Sequence, residues 1–311
     1  MIQMIKSPVL LITFNRPDTT QKVFDALKKA KPEKLYFFND GPRLGNKQDF
    51  KAREKIKRIL DQVDWECELS TNYSEKNLGC ELGVSGAISW VLEKEESVII
   101  VEDDVVPAIS FFYFAQEILE MYKFDKRIGM VSGNNYTPIK FNEADYIFSK
   151  YAHIWGWATW KRVWEKFDVT VPDLQKDLKN GLIKKIFHKR EERKYFNYYF
   201  NRMFLAIKNK TINTWDTQFF YFLIRNEFLS IVPRVNLVTN IGVEGTHTGD
   251  INSAHFWPTD EAFVLHKHPN KVECNTEYDY YHFKNHLNKA IKKKHILIRA
   301  KNKFLRLLKQ L

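Results

Sequence analysis

Residues 97–104 read SVIIVEDD: four apolar residues, Val98 to Val101, run directly into three consecutive acids, Glu102, Asp103 and Asp104. A short unbroken apolar run of this kind is the pattern of a parallel strand covered on both faces. The stretches on its N-terminal side repeat the pattern. Pro8-VLLITF-Asn15 is a compact apolar run broken by Arg16-Pro17-Asp18 before a helical pattern through Val23 and Leu27, and Lys34-LYFFN-Asp40 ends on the turn signal Asp40-Gly41-Pro42. Residues 47–63 read as a charged amphipathic helix, Trp65 to Leu69 as a third strand, and Val84 to Leu92 as a further helix after Asn77-Leu78-Gly79. Strands alternating with helices over the first hundred residues predict an α/β fold with a doubly wound, mostly parallel sheet flanked by helices.

Beyond Pro107 the spacing predicts a helix from Ser110 to Tyr122 and a strand over Ile128-GMVS-Gly133. The pattern then loosens. Residues 134–175 are rich in Asn, Tyr and Trp, residues 176–210 read as charged helices, Trp215 to Ile224 as an aromatic helix, and Leu229-SIV-Pro233 and Val235 to Val238 as short strands before a polar loop at Gly242 to Asp250. The second half reads as an extension of the same sheet, with a soft boundary near residue 134.

In an open α/β sheet, ligands bind at the carboxyl ends of strands, where Glu102, Asp103 and Asp104 would stand. Clustered carboxylates are costly unless something positive compensates them, and Mg²⁺ or Mn²⁺, with oxygen ligands and an affinity for phosphates, is the natural partner. The competing reading is a solvated turn whose acids cap the helix that follows.

The chain has 311 residues, 44% of them hydrophobic and 28% charged, enough to bury a core, and a formal net charge of +11. That charge is uneven. Tyr281 to Leu311 hold ten Lys and Arg and no acid, leaving 39 basic against 38 acidic residues in the rest, which argues against a nucleic-acid groove. Cys67, Cys80 and Cys274 lack CxxC spacing, and no apolar run approaches the ~20 residues of a membrane span, so the expected setting is cytoplasmic.

The ordered set PVLLITFNRP (8–17), YFFNDGPR (36–43), EKNLGC (75–80), VIIVEDD (98–104), IWGWATW (154–160), TWDTQFF (214–220) and GTHT (245–248) resembles the nucleotide-sugar glycosyltransferases of the GT-A fold. It is similar in particular to bacterial relatives of N-acetylglucosaminyltransferase I, whose metal motif is also EDD. The resemblance implies a glycosyltransferase domain over residues 1–280, with a nucleotide-binding half at 1–133 and an acceptor half at 134–280. It implies an inverting, metal-dependent transfer from a nucleoside-diphosphate sugar, expected to be UDP-linked, to a hydroxyl of a cell-surface glycan or lipid-linked acceptor. Arg16 would lie beside the phosphates, Asp40 would accept a hydrogen bond from the base, and Asn77 and Gly79 would stand where a loop crosses the nucleotide. Asp104 would bind Mn²⁺ or Mg²⁺, with Glu102 and Asp103 towards sugar and ribose, and a late His, here His247, would join the metal or diphosphate site. Asp216 would be the general base; otherwise it is a first-turn acid favoured by the helix dipole. Trp155 and Trp157, two of three Trp around Gly156, would form a platform for the C–H faces of a sugar, unless they are simply a hydrophobic cluster.

Residues 281–311 read as a basic amphipathic tail, with Phe304, Leu307, Leu308 and Leu311 on one face, suited to an anionic membrane surface or else docked on the protein or a partner subunit. Two rival functions are a nucleotidyltransferase making activated sugars, which would want a glycine-rich basic loop where Asn15-Arg16-Pro17-Asp18 stands, and a non-catalytic protein binding membrane or nucleic acid.

Overall fold

The computed structural model describes residues 4–135, 137, 143–211, 213–242 and 258–287. Three β-α units open the chain: β1 Val9–Thr13 and α1 Pro17–Ala30, β2 Lys34–Asn39 and α2 Lys47–Leu60, β3 Glu68–Tyr73 and α3 Gly79–Leu92. They are followed by β4 Ser97–Glu102, a short β5 Val105–Pro107 and α4 Ile109–Met121. Each boundary has a local cause. Pro17 occupies the first turn of α1, and Lys31 ends that helix in the left-handed conformation, donating its N–H to the Leu27 carbonyl. Asn46 caps α2, its side chain accepting from the N–H groups of Gln48 and Asp49. The third strand begins later than the sequence predicts, at Glu68 rather than Trp65. Trp65 instead donates its indole N–H to the Pro32 carbonyl and packs on Phe24 at the edge of the core.

The remaining strands are β6 Ile128–Ser132, β7 Tyr146–Ser149, β8 Trp157–Trp160, which leads into the short helix α5 Lys161–Trp164, β9 Leu229–Pro233 and β10 Val238–Asn240. Eight strands form one sheet in the order β3-β2-β1-β4-β8-β6-β9-β7, and β10 pairs with β5 in a separate ribbon. The first four of the series run parallel; β8 is antiparallel to both neighbours, β6 and β9 are parallel, and β7 is reversed. The architecture is thus α/β with a mostly parallel sheet flanked by helices, and strands from either side of residue 134 share it.

One large core spans the sheet, from Val9 and Phe37 through Ile100 and Trp157 to Phe219 and Ile231. A second cluster lies outside it, formed by α6 Leu174–Lys179, α7 Leu182–Ile186, α8 Arg190–Lys208 and α9 Asp216–Arg225, and closed by Phe283 from the π-helical turn Phe283–Leu287 that follows α10 Thr276–His282. Phe187, Phe196 and Phe200 are its centre; Phe187 and Phe196 stack with centroids 4.0 Å apart. Much of the 15% aromatic content goes into these two packed interiors.

Candidate active site

The chain winds outward from β1 to β2 and β3, then crosses to place β4 on the other side of β1, so the strand order reverses between β1 and β4. A crevice opens at the carboxyl ends of strands at such a point. The register Ile12 with Glu102 and Thr13 with Asn39 brings Arg16, Asp40 and the acidic triplet to one edge.

Asp103 is buried and ties the two strand ends together by accepting the Phe14 N–H at 3.1 Å on one oxygen and the Arg16 guanidinium on the other. Arg16 also reaches Asp104, Nη1 to Oδ2, at 2.6 Å. It can do so because it is the last residue before α1, with Pro17 fixing the chain's exit from β1. Burial alone would lower the Arg16 pKa, but Asp103 and Asp104 outweigh it and hold the guanidinium firmly charged. Burial pushes the Asp103 carboxyl above its ordinary range, opposed in part by Arg16. Burial also raises Glu102, and Asp104, Asp103 and Asp216 add to the effect.

Glu102 and Asp216 therefore feel one another although they come from different halves of the chain. Cys80 feels both: burial lifts its thiol to about 12, and the charges of Glu102 and Asp216 contribute. Asp216 opens α9 and accepts the Thr214 hydroxyl. The same region is fastened to the start of α3 by Asn213, whose Oδ1 accepts the Glu81 N–H at 3.2 Å and whose side chain leaves no room for a Cβ at Gly79, a residue with φ of +73°. Cys80, Asn213 and Thr214 were not anticipated from the sequence; Cys80 directly follows the Asn77-Leu78-Gly79 signal, whereas nothing local distinguishes Asn213.

Asp40 behaves differently from the expected base acceptor. Its Oδ1 accepts the N–H groups of Gly41 at 2.8 Å and Leu78 at 2.9 Å, and its Oδ2 accepts Gly79 N–H at 3.0 Å and Asn77 Nδ2 at 2.9 Å. The carboxylate's acceptor sites are filled by protein donors, so in this state Asp40 organises the loop and offers no oxygen to a nucleobase. Asn77 also donates to the Gly41 carbonyl at 2.9 Å, so it shares this anchoring role. Gly41 packs so closely on the Lys76–Asn77 backbone that a Cβ would collide with it.

The aromatic platform needs a correction. Trp157 is fully buried in β8, stacked on Trp215 at 5.4 Å and packed on Phe219 at 5.2 Å, with no face left for a sugar. Trp155 is half-buried against the main core. The aromatic surface near Asp216 comes from elsewhere. A cavity of about 130 Å³ is lined by Tyr195, Tyr199, Phe220, Asp216, Thr217 and His282, among others.

Among the described residues no group of three or more His, Cys, Asp and Glu is arranged to hold a metal ion. Both Asp103 oxygens are engaged by protein donors, and one Asp104 oxygen is on Arg16. His247 lies outside the described residues. Across from Asp104, whose carbonyl accepts the Ile241 N–H at 2.7 Å, Gly242 packs so closely that a Cβ there would strike the Asp104 carboxylate.

No family model matches the chain, and no curated protein matches it. Among solved structures it is similar to a 4-diphosphocytidyl-2C-methyl-D-erythritol synthase from Anaerococcus prevotii DSM 20548, at 12% identity over 52% of this chain and 75% of that one, with a TM-score of 0.33. It is also similar to a UDP-glucose pyrophosphorylase complexed with UDP-glucose, at 10% identity over 51% of this chain and 71% of that one, with a TM-score of 0.28. Likeness at that level bears on neither activity nor substrate.

Proposed function

We propose that the chain is a GT-A type, inverting glycosyltransferase that moves a sugar from a nucleoside-diphosphate donor, UDP-linked in the first instance, to a hydroxyl of a surface glycan. The observation that carries this reading is the meeting, at one switch-point crevice, of Arg16 and the acidic triplet with Asp216, which is distant in sequence yet close enough to raise Glu102.

Arg16 is the group in reach of a diphosphate, for which its planar fork is suited. A diphosphate that draws Arg16 to itself frees an oxygen of Asp104, which would then hold the Mn²⁺ or Mg²⁺ riding on the phosphates. That ion, when bound, neutralises charge developing on the leaving group. Asp216 takes the proton from the acceptor hydroxyl as its oxygen bonds to the anomeric carbon, and the bond from that carbon to the diphosphate oxygen breaks with its electron pair leaving on phosphate. Tyr195, Tyr199 and Phe220 supply aromatic faces for an acceptor ring beside Asp216.

The test is calorimetric titration of UDP, GDP, CDP and dTDP with and without Mn²⁺, on wild type, Asp104→Ala and Asp216→Asn. The reading expects one diphosphate to bind only with metal, Asp104→Ala to abolish that binding, and Asp216→Asn to keep binding while losing sugar transfer. Release of pyrophosphate from a nucleoside triphosphate and a sugar 1-phosphate would replace it with the nucleotidyltransferase reading. Binding of no diphosphate under either condition refutes the transferase reading.

A further inference from the structure

The near neutrality of the chain before its tail conceals a division of charge. Residues 174–210 hold eleven Lys and Arg against three Asp and Glu, so the rest of the chain ahead of residue 281 is net acidic. The helix α8 orders part of this charge. Its inner face, Glu192, Phe196, Phe200 and Met203, is buried in the second cluster, and Tyr195 and Tyr199 line the cavity that holds Asp216. Its outer face exposes Arg190, Lys194, Tyr198, Arg202, Leu205 and Lys208, which fall on one stripe at the helical period.

Three features set this stripe apart from an ordinary solvated helix face. Among the described residues no ion pair involves Arg190, Lys194, Arg202 or Lys208, whereas Lys185 pairs with Glu227 and Arg225 with Asp173. Of the two acids in α8, Glu192 faces inward on Lys150 and Tyr151, and Glu191, at the N-terminal end, accepts the Tyr280 hydroxyl at 2.6 Å. Between the cations stand two exposed apolar groups, Tyr198 and Leu205, 46% and 54% accessible, with the Arg202 guanidinium 5.8 Å from the Tyr198 ring. Cations alternating with an aromatic ring and a leucine make up the polar-apolar face of an interfacial helix, with rings at headgroup depth and basic groups on lipid phosphates.

We infer that the outer face of α8 docks on an anionic lipid bilayer. The cations that follow Leu287 in the sequence add to the positive charge available to such a surface. Docking through α8 puts the bilayer one helix away from the cavity that Asp216 lines. That the bilayer brings the acceptor rests on the transferase reading; the docking does not.

The experiment is co-sedimentation of the full chain with phosphatidylcholine vesicles, alone or containing about one third phosphatidylglycerol, comparing wild type with the triple variant Lys194→Glu, Arg202→Glu, Lys208→Glu. Each cation near an anionic leaflet multiplies partitioning roughly fivefold, so the triple variant loses at least about a hundredfold while wild type binds only the anionic vesicles. Equal partitioning of variant and wild type overturns the inference, as does wild-type binding to neither vesicle or to both alike. Binding of single-stranded RNA that the same variant abolishes, without vesicle binding, makes the stripe a nucleic-acid surface instead and also overturns it. If charge reversal unfolds the chain, Lys194→Gln, Arg202→Gln, Lys208→Gln carries the comparison with the same direction expected. Diphosphate titration on the same samples separates the two readings, since loss of vesicle binding with diphosphate binding intact concerns α8 alone.

Discussion

Protonation of a cluster of buried histidines beside the second core works against this fold as pH falls, opposite in sign to the raised carboxyls of Glu102 and Asp103. His153 and His282 are buried with ring centroids 4.6 Å apart, and His286 stacks on His282 at 5.3 Å. Tyr278 meets His153 Nε2 at 2.9 Å, and the charged groups on the same junction are Asp279, which takes Ser149 and Cys274, and Lys150 with Glu192. Burial, reinforced by His286, lowers His153 from 6.5 to about 3, and burial with both neighbouring imidazoles lowers His282 in the same direction. A histidine whose folded pKa is depressed binds fewer protons folded than unfolded, so its stabilisation is complete above 6.5 and is lost as pH falls below that value towards 3. At about pH 5 the His153 term alone amounts to about 2 kcal/mol, with His282 adding to it, a sizeable part of the 5–15 kcal/mol typical of a folded domain. Denaturant unfolding followed by circular dichroism between neutrality and about pH 5 measures the slope, and His153→Phe, which keeps a ring but cannot titrate, should lose about that much less stability than wild type over the interval. Parallel pH profiles for wild type and His153→Phe, or an imidazole signal for His153 titrating near its ordinary value, would refute the reasoning.

Three further outcomes follow from particular contacts. Gly242→Ala drives a methyl into the Asp104 carboxylate and should weaken metal-dependent diphosphate binding at least about tenfold with the melting curve little changed, as calorimetry on the variant will show. Trp157→Ala empties the middle of the main core and should lose about 3–5 kcal/mol in denaturant unfolding, whereas Trp155→Ala, half-buried, should lose clearly less; equal losses would contradict the burial difference. Asp40→Asn leaves backbone N–H groups at Gly41, Leu78 and Gly79 competing for a single carbonyl oxygen and should cost about 1–3 kcal/mol, with faster amide exchange at residues 77–79 as the local signature.

The strands that are apolar throughout, β1, β2 and β4, were legible in the sequence because burial on both faces leaves no other pattern, and with them came the sheet class and the position of Glu102, Asp103 and Asp104. The strand β8 was not legible. Three Trp within the six residues 155–160 fit a surface cluster as well as a strand, and only pairing with Ile100 on one side and Ser132 on the other makes β8 central. The sequence leads one to expect Arg16 beside the phosphates of a nucleotide; its direct pairing with Asp103 and Asp104 depends on the β1–β4 register, which no local signal encodes. The engagement of Asp40 by the amides of residues 78 and 79 was not legible, because a strand-end Asp before Gly looks the same whether it faces a base or a loop's amides. The charge of residues 174–210 was visible, but its sorting onto one face of α8 needed the packing of Phe196 and Phe200 to define which face remains outside.

The reversed strand β8 also dictates when the sheet can close during synthesis. β4 pairs with β1 on one edge, made earlier, and with β8 on the other, made more than fifty residues later, and β6 likewise finds its partners β8 and β9 only downstream. A nascent chain that has completed α4 therefore carries an apolar strand with one open edge, ending in the acids of the candidate site. Open apolar edges template association between chains, so the interval before Trp157–Trp160 emerges is when this protein is most exposed to aggregation and most dependent on the speed of its own translation.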